Sequence, residues 1–293
     1  RGLGDVYKRQ DLSYEEFLDF HRQYYHPSNS FIYLYGNMDM EEKLEFLDSH
    51  YLSAFDSLVI DSEIRDQEAF AQVKDIQKSY PVSEDEGEED NTYLSYNMVV
   101  GEAADINLSL AFEVLDYALL SAPGAPLKQA LLDAKIGKDI YGSFEDGIKQ
   151  TYFSIVAKGA NLSQKEEFVK VIRDTLTKIM EEGIDKKAVT AGINYYEFRF
   201  READFSSYPK GLMYGLDILS SWLYDDTKPF CEVQLLEGFE FLKKALEEGY
   251  FEDLIRKYLL DNTHGAILSL VPEKGLAAKS CLLYTSDAAD EAR

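Results

Sequence analysis

Two short runs, residues 140–144 and 151–158, are dense in aromatic and β-branched side chains, and Glu145-Asp146-Gly147 lies between them. An acidic–glycine turn between two such runs predicts an antiparallel pair of strands. A lone pair of strands is marginal in water, so this pair commits the surrounding chain to covering it. The flanking sequence holds the cover. Asp105 stands where a helix cap belongs, ahead of an apolar stripe of Leu108, Ala111, Phe112, Leu115, Ala118 and Leu119. Pro123-Gly124 ends that helix, and Pro126 suits the first turn of a shorter one running to residue 132. Ser163 and Glu166 have the spacing of a capping box before a helix carrying Phe168, Ile172, Leu176, Ile179 and Met180. Gly183 stops it, and Asp185 caps the next, which runs to about residue 203. Each helix has one apolar stripe and so one face to bury. The fold class that follows is α+β, an antiparallel or mixed sheet with helices packed on one face.

The rest of the chain reads in the same terms. Residues 92–100 and 266–271 are further strands, and residues 209–223, 233–248 and 251–260 are helical. Near the start, residues 14–25 form a helix that His26-Pro27-Ser28-Asn29 breaks, residues 31–35 a strand closed by Gly36-Asn37, and residues 40–49 a short helix with Leu44 and Leu47 inward. Residues 56–75 are polar without a period and read as a linker. The acidic run at 84–90 reads as a solvated loop. The order helix, polar break, strand occurs twice at a constant offset, at 14–36 and 250–272, with Tyr14/Tyr250, Glu16/Glu252, Leu18/Leu254 and Leu34/Leu270 identical. This suggests two copies of one domain, the first truncated and the second nearly complete.

Composition narrows the partners. There are 54 Asp and Glu against 30 Lys and Arg, a formal net charge of −24. That balance disfavours nucleic acid and anionic membranes, which select basic faces, and leaves solubility and basic partners as its two uses. The two cysteines, Cys231 and Cys281, lack metal or redox spacing, which favours a reducing, cytoplasmic setting. No apolar run has the length of a membrane span. Residues 1–10 and 281–293 resemble in-frame translations of adapters used in transposon-based DNA library preparation, so they are expected to be foreign to the fold.

A search for chemistry finds no catalytic constellation. None of the four histidines, His21, His26, His50 and His264, sits in H-E-x-x-H or H-x-x-E-H. His21 and His26 are placed for capping or packing, since a proline follows His26. Cys231 has no evident base and reads as structural. Tyr195, Tyr196, Phe198, Phe200, Phe205, Tyr208 and Tyr214 crowd one region, either as core or as a peptide-binding wall.

Four stretches, in this order, carry a resemblance: Phe20-His21-Arg22-Gln23-Tyr24-Tyr25-His26-Pro27-Ser28-Asn29, Ala125-Pro126-Leu127-Lys128-Gln129-Ala130-Leu131, Gly137-Lys138-Asp139-Ile140-Tyr141-Gly142, and Asn194-Tyr195-Tyr196-Glu197-Phe198-Arg199-Phe200. Together they resemble the presequence protease branch of the pitrilysin/insulinase zinc metallopeptidases. The resemblance implies four homologous domains paired into two lobes that close around a peptide. It places the zinc motif early in the first domain, and an arginine and a tyrosine near the scissile bond in the fourth. No residue of this chain matches those roles. By that reading residues 11–55 are the end of the first domain, 56–75 a linker, 76–272 the second, non-catalytic domain, and 273–280 the start of a following linker. The implied parent is a cytoplasmic zinc metalloendopeptidase degrading unstructured peptides, with zinc in the parent and none bound by this piece, which would be inactive alone. Its partners would be peptide substrates and the remaining domains of the same chain. The alternatives are a non-catalytic scaffold or partner subunit of the same superfamily, or a plain peptide-binding module. The resemblance also points to one substrate site. Ile140, Tyr141, Gly142 and Ser143 match a strand that anchors one end of the peptide by main-chain pairing, with Gly142 allowing close backbone approach. The competing reading is an ordinary edge strand, blunted by Asp139 and Glu145.

Overall fold

The strands expected at 92–100, 140–144, 151–158 and 266–271 all form, and a fifth that the sequence did not announce joins them. In the computed structural model, which describes residues 12–203 and 205–278, the chain divides into two units, one ending at Arg65 and the other beginning at Asp66. The adapter-like residues 1–10 and 281–293, Cys281 included, lie outside the described residues.

The second unit is built on β1 (Lys74–Val82), β2 (Thr92–Glu102), β3 (Asp139–Glu145), β4 (Gln150–Ala160) and β5 (Gly265–Lys274), in the order β1-β5-β2-β4-β3. Only the β1–β5 pair is parallel, so the sheet is mixed. In the hairpin, Ile140 faces Ala157 and Phe144 faces Phe153. The period of two sorts β2 cleanly: Leu94, Tyr96, Met98 and Val100 are fully buried while Tyr93, Ser95 and Asn97 keep partial exposure. Helices cover the buried face.

The first of these, α3 (Ile106–Asp116), begins where expected, with the Asp105 side chain accepting the Leu108 N–H at 3.2 Å. Its whole predicted stripe is buried, and so are Leu110 and Val114 on the other side. The reason is a second helical layer: α3 packs against α6 (Lys186–Glu202) and α8 (Leu236–Ala245) as well as the sheet. Phe112 sits at the centre, its ring 5.8 Å from Phe153 and 5.7 Å from Tyr258. Burying Tyr96 requires a partner for its hydroxyl, which donates to the Leu259 carbonyl at 2.6 Å. Between these elements run α4 (Pro126–Asp133), α5 (Lys165–Glu182), α7 (Lys210–Trp222) and α9 (Tyr250–Leu254), the last prolonged by a π-helical turn, Ile255–Leu260. Gly183, at φ 94°, and Ala203, at φ 46°, end α5 and α6. The capping box before α5 lies two residues earlier than expected, at Asn161 and Gln164. Gln164 Oε1 accepts the Asn161 N–H at 2.9 Å, and Ser163 and Glu166 fall inside the helical run.

The first unit has α1 (Tyr14–Tyr24), capped by Ser13 through the Glu16 N–H at 3.2 Å, and α2 (Met40–His50), capped by Asp39. Residues 31–35 run extended, with Tyr33 and Tyr35 on one side, 6.4 Å apart, as alternate residues of a strand are. β5, their counterpart in the likeness of 14–36 to 250–272, lies inside the sheet. One expectation fails. Leu44 is 55% exposed rather than inward. None of the described residues of this unit is fully buried, so the stripe joins no core among them.

Candidate functional site

β3 ends the sheet. It pairs with β4 alone, and among the described residues no strand lies beyond it. Its backbone polarity can be worked out. The Lys138 N–H donates across the pair to the Lys158 carbonyl at 2.7 Å. Lys158 thus turns its backbone groups toward β3, and alternation along β4 does the same for Val156 and Ser154, whose partners Tyr141 and Ser143 bond to β4, while the N–H and C=O groups of Ile140, Gly142 and Phe144 face the free edge. The four residues singled out in the sequence therefore divide. Ile140 is fully buried core, whereas Tyr141 is 42% exposed. Gly142 lies under the C-terminal part of α3, where an added Cβ would overlap Asp116 Oδ1 and the Leu120 side chain. Glycine is needed there for helix-on-strand packing. What β3 offers a ligand is the main chain of Ile140, Gly142 and Phe144.

Just past β3, at its turn into β4, is a cavity of about 360 Å³ that the sequence reading did not find as a unit. Its walls are aromatic: Tyr196 and Phe200 of α6, Phe205, Tyr214 of α7 and Phe239 of α8. Phe205 and Tyr214 meet edge to face at 5.3 Å, and Phe200 and Phe239 lie 6.1 Å apart. Four of the seven aromatic residues noted in the sequence thus line one space, which joins the two readings given to them: they are core on one side and wall on the other. Four carboxylates share the lining, Glu113, Asp146, Asp217 and Glu232. Burial pushes Glu113 up to about 8, with Asp146 and Glu232 adding repulsion, and pushes Glu232 up to about 8, with Asp146 and Asp217 adding to it. Burial also raises Asp146 and Asp217 above the usual carboxylate range. The signal that could have found this site is Glu113 itself, a lone charge inside the apolar run Leu110 to Leu115.

The histidines are engaged elsewhere. His26 Nδ1 accepts the Ser28 N–H at 3.1 Å, the capping role expected of it, and His21 stacks on Tyr25 at 4.5 Å. His50 stacks on Phe46 at 4.4 Å, and His264 meets the edge of Phe70 at 4.9 Å. Among the described residues no group of three His, Cys, Asp or Glu side chains is arranged to hold a metal ion. With its histidines in caps and stacks and its carboxylate cavity lacking imidazole or thiolate, this donor set does not fit a zinc centre. Cys231 Sγ contacts Ser221 Oγ at 3.1 Å at the foot of α7, a packing role. Among the described residues no helix is long and apolar enough to cross a membrane.

Residues 11–196 match the family described as the peptidase M16 inactive domain. This chain belongs to the M16 peptidases. The M16 chain is 46% identical over 276 residues to Protein HypA of Clostridium perfringens, an alignment covering 94% of this chain and 28% of that protein. It is 35% identical over 278 residues to Presequence protease 1, chloroplastic/mitochondrial, of Arabidopsis thaliana, covering 92% of this chain and 26% of that one. The M16 chain therefore spans about a quarter of the length of these relatives and falls in the presequence protease branch. Its fold is shared with the crystal structure of a protease from Helicobacter pylori, at TM-score 0.64 and 16% identity over 90% of this chain and 60% of that one.

Proposed function

We propose that this chain is the non-catalytic part of a larger, cytoplasmic zinc metalloendopeptidase that degrades unstructured peptides inside a closed two-lobed chamber. By this reading residues 11–55 end a first peptidase domain, 56–75 link, and 76–272 form a second domain that shapes the chamber wall. Zinc belongs to the parent, where it would polarise the scissile carbonyl; no residue of this chain takes part in that step. The role of this chain is to hold the peptide. The observation that carries this is the open edge of β3 on an inactive-type M16 domain. Ile140, Gly142 and Phe144 turn their N–H and C=O groups outward, so an extended peptide can add as a further strand, and main-chain pairing of this kind tolerates many sequences. The single cysteine within the described residues agrees with a reducing compartment.

The test is length-dependent kinetics in the full-length parent. Phe144→Ala controls for loss of the ring that stacks on Phe112, and Phe144→Pro in addition removes one outward N–H while leaving the bonds to β4 in place. Relative to that control, Phe144→Pro should raise KM for long peptides several-fold and leave short-peptide cleavage unchanged, because a short substrate cannot reach both the edge and the metal. Equal kinetics for both lengths, relative to the same control, would remove β3 from substrate binding. Gly142→Pro is a poorer probe, since its ring would collide with Asp116 and Leu120.

A further inference from the structure

The cavity beside the β3–β4 turn has an unbalanced charge. Glu113 enters from α3, Asp146 from the turn, Asp217 from α7 and Glu232 from the segment before α8. Among the described residues none of these four side chains forms an ion pair, and none accepts a hydrogen bond apart from Asp146, which bonds its own backbone. Among the described residues one cation lines the space, Arg199. It lies over the Tyr195 ring at 5.7 Å and attracts Glu113 without pairing with any of the four. Carboxylates gathered between aromatic walls give up hydration without a counter-charge in return, which is costly unless a cation arrives. A bare metal ion is not that cation, since no three of these groups are arranged to hold one. The walls specify the rest. Tyr196, Phe200, Phe205, Tyr214 and Phe239 present faces and edges suited to an organic cation with an apolar stem. The volume, about 360 Å³, is at the small end of the roughly 300–1,000 Å³ usual for ligand sites.

We propose that this cavity is a subsite for the cationic side chain of a lysine or arginine, with the ammonium or guanidinium among Glu113, Asp146, Asp217 and Glu232 and the stem against the aromatic walls. The occupant is a peptide residue, supplied in trans by a bound peptide or in cis by a part of the parent outside this chain. The site does not depend on the β3 edge: either can fail without the other. Seating a cation favours the ionised carboxylates. Near neutral pH Glu113 and Glu232 are largely protonated, so binding releases protons and tightens as pH rises through about 8. The groups facing Glu113 in that titration are Asp116 of its own helix, Asp146, Glu232, and Arg199 and Tyr196 of α6.

The experiment is binding of capped single residues to this chain, followed by NMR shifts and by calorimetry in two buffers of different ionisation enthalpy. Nα-acetyl-lysine methylamide and Nα-acetyl-arginine methylamide should bind, with proton release at pH 7. The neutral isosteres built on norleucine and citrulline should bind at least tenfold more weakly. Glu113→Gln and Glu232→Gln, each near-isosteric and checked for an intact fold by circular dichroism, should each weaken the cationic ligands about tenfold, the loss of one charge-assisted contact. Repeating the titration on the full-length parent separates the sources. Binding there too means a peptide in trans, and binding to this chain only means a residue in cis. Equal binding of cationic and neutral ligands, no binding of either, or unchanged binding by both folded variants would overturn the proposal.

Discussion

The two edges of the sheet are built differently. β1 is long and carries Lys74, Asp75, Lys78 and Pro81; Lys165 of α5 pairs with Asp75 at 2.6 Å, and six successive residues from Lys74 are exposed. Charges and proline on an edge discourage further pairing. β3 is shorter. It has a fully buried Ile140, and its glycine is locked under a helix, leaving Asp139 and Glu145 only at its ends. One edge is guarded along its length and the other is open at its centre. In one sheet, that difference identifies which edge can accept a strand without opening the other to aggregation.

The largest expected break of this comparison is in stability. Gly142→Val places a branched side chain against Asp116 and the buried Leu120, and should destabilise the second unit by about 1–3 kcal/mol by overpacking. Gln77→Val on the exposed β1 edge should stay within about 0.5 kcal/mol. Urea titrations of both variants measure the contrast, and equal costs would mean that β3 is no more tightly built than β1.

A second effect sharpens the contrast beneath β3. Glu113 has a folded-state value near 8, well above that of an unfolded glutamate near 4.3. The folded state therefore holds the extra proton between those values, and stability falls as pH rises from about 4.3 through 8. Glu113→Gln should abolish part of that fall, so its melting temperature should exceed that of the unmodified chain at pH 9 and differ less at pH 5. A variant less stable than its parent at pH 9 would show that Glu113 is satisfied in the folded chain. The smallest effect is at the guarded edge: Lys165→Ala removes an exposed ion pair and should cost about 0.2–1 kcal/mol, diminishing in high salt.

The same contrast explains what was legible in the sequence. β3 and β4 could be read because a central or half-buried strand must carry apolar residues. β1 could not, because a guarded edge replaces them with Lys74, Asp75, Gln77 and Lys78, and the linker read at 56–75 runs into its start. The stripe of α3 was found in full, while Leu110 and Val114 gained their burial from α6 and α8, distant in sequence. Glu113 was passed over because a charge in an apolar helix acquires meaning only when Asp146, Asp217 and Glu232 arrive from three other segments. Family membership was legible from four short motifs, since these fix helix breaks and strand starts that the domain keeps.

The account rests on the β3 edge receiving an extended peptide, and amide hydrogen exchange resolved by NMR tests it on this chain directly. On adding a long unstructured peptide, the outward amides of Gly142 and Phe144 should become protected while those of Gln77 and Ser79 in β1 do not change. Protection along β1, or none at Gly142 and Phe144 under saturating peptide, would contradict it.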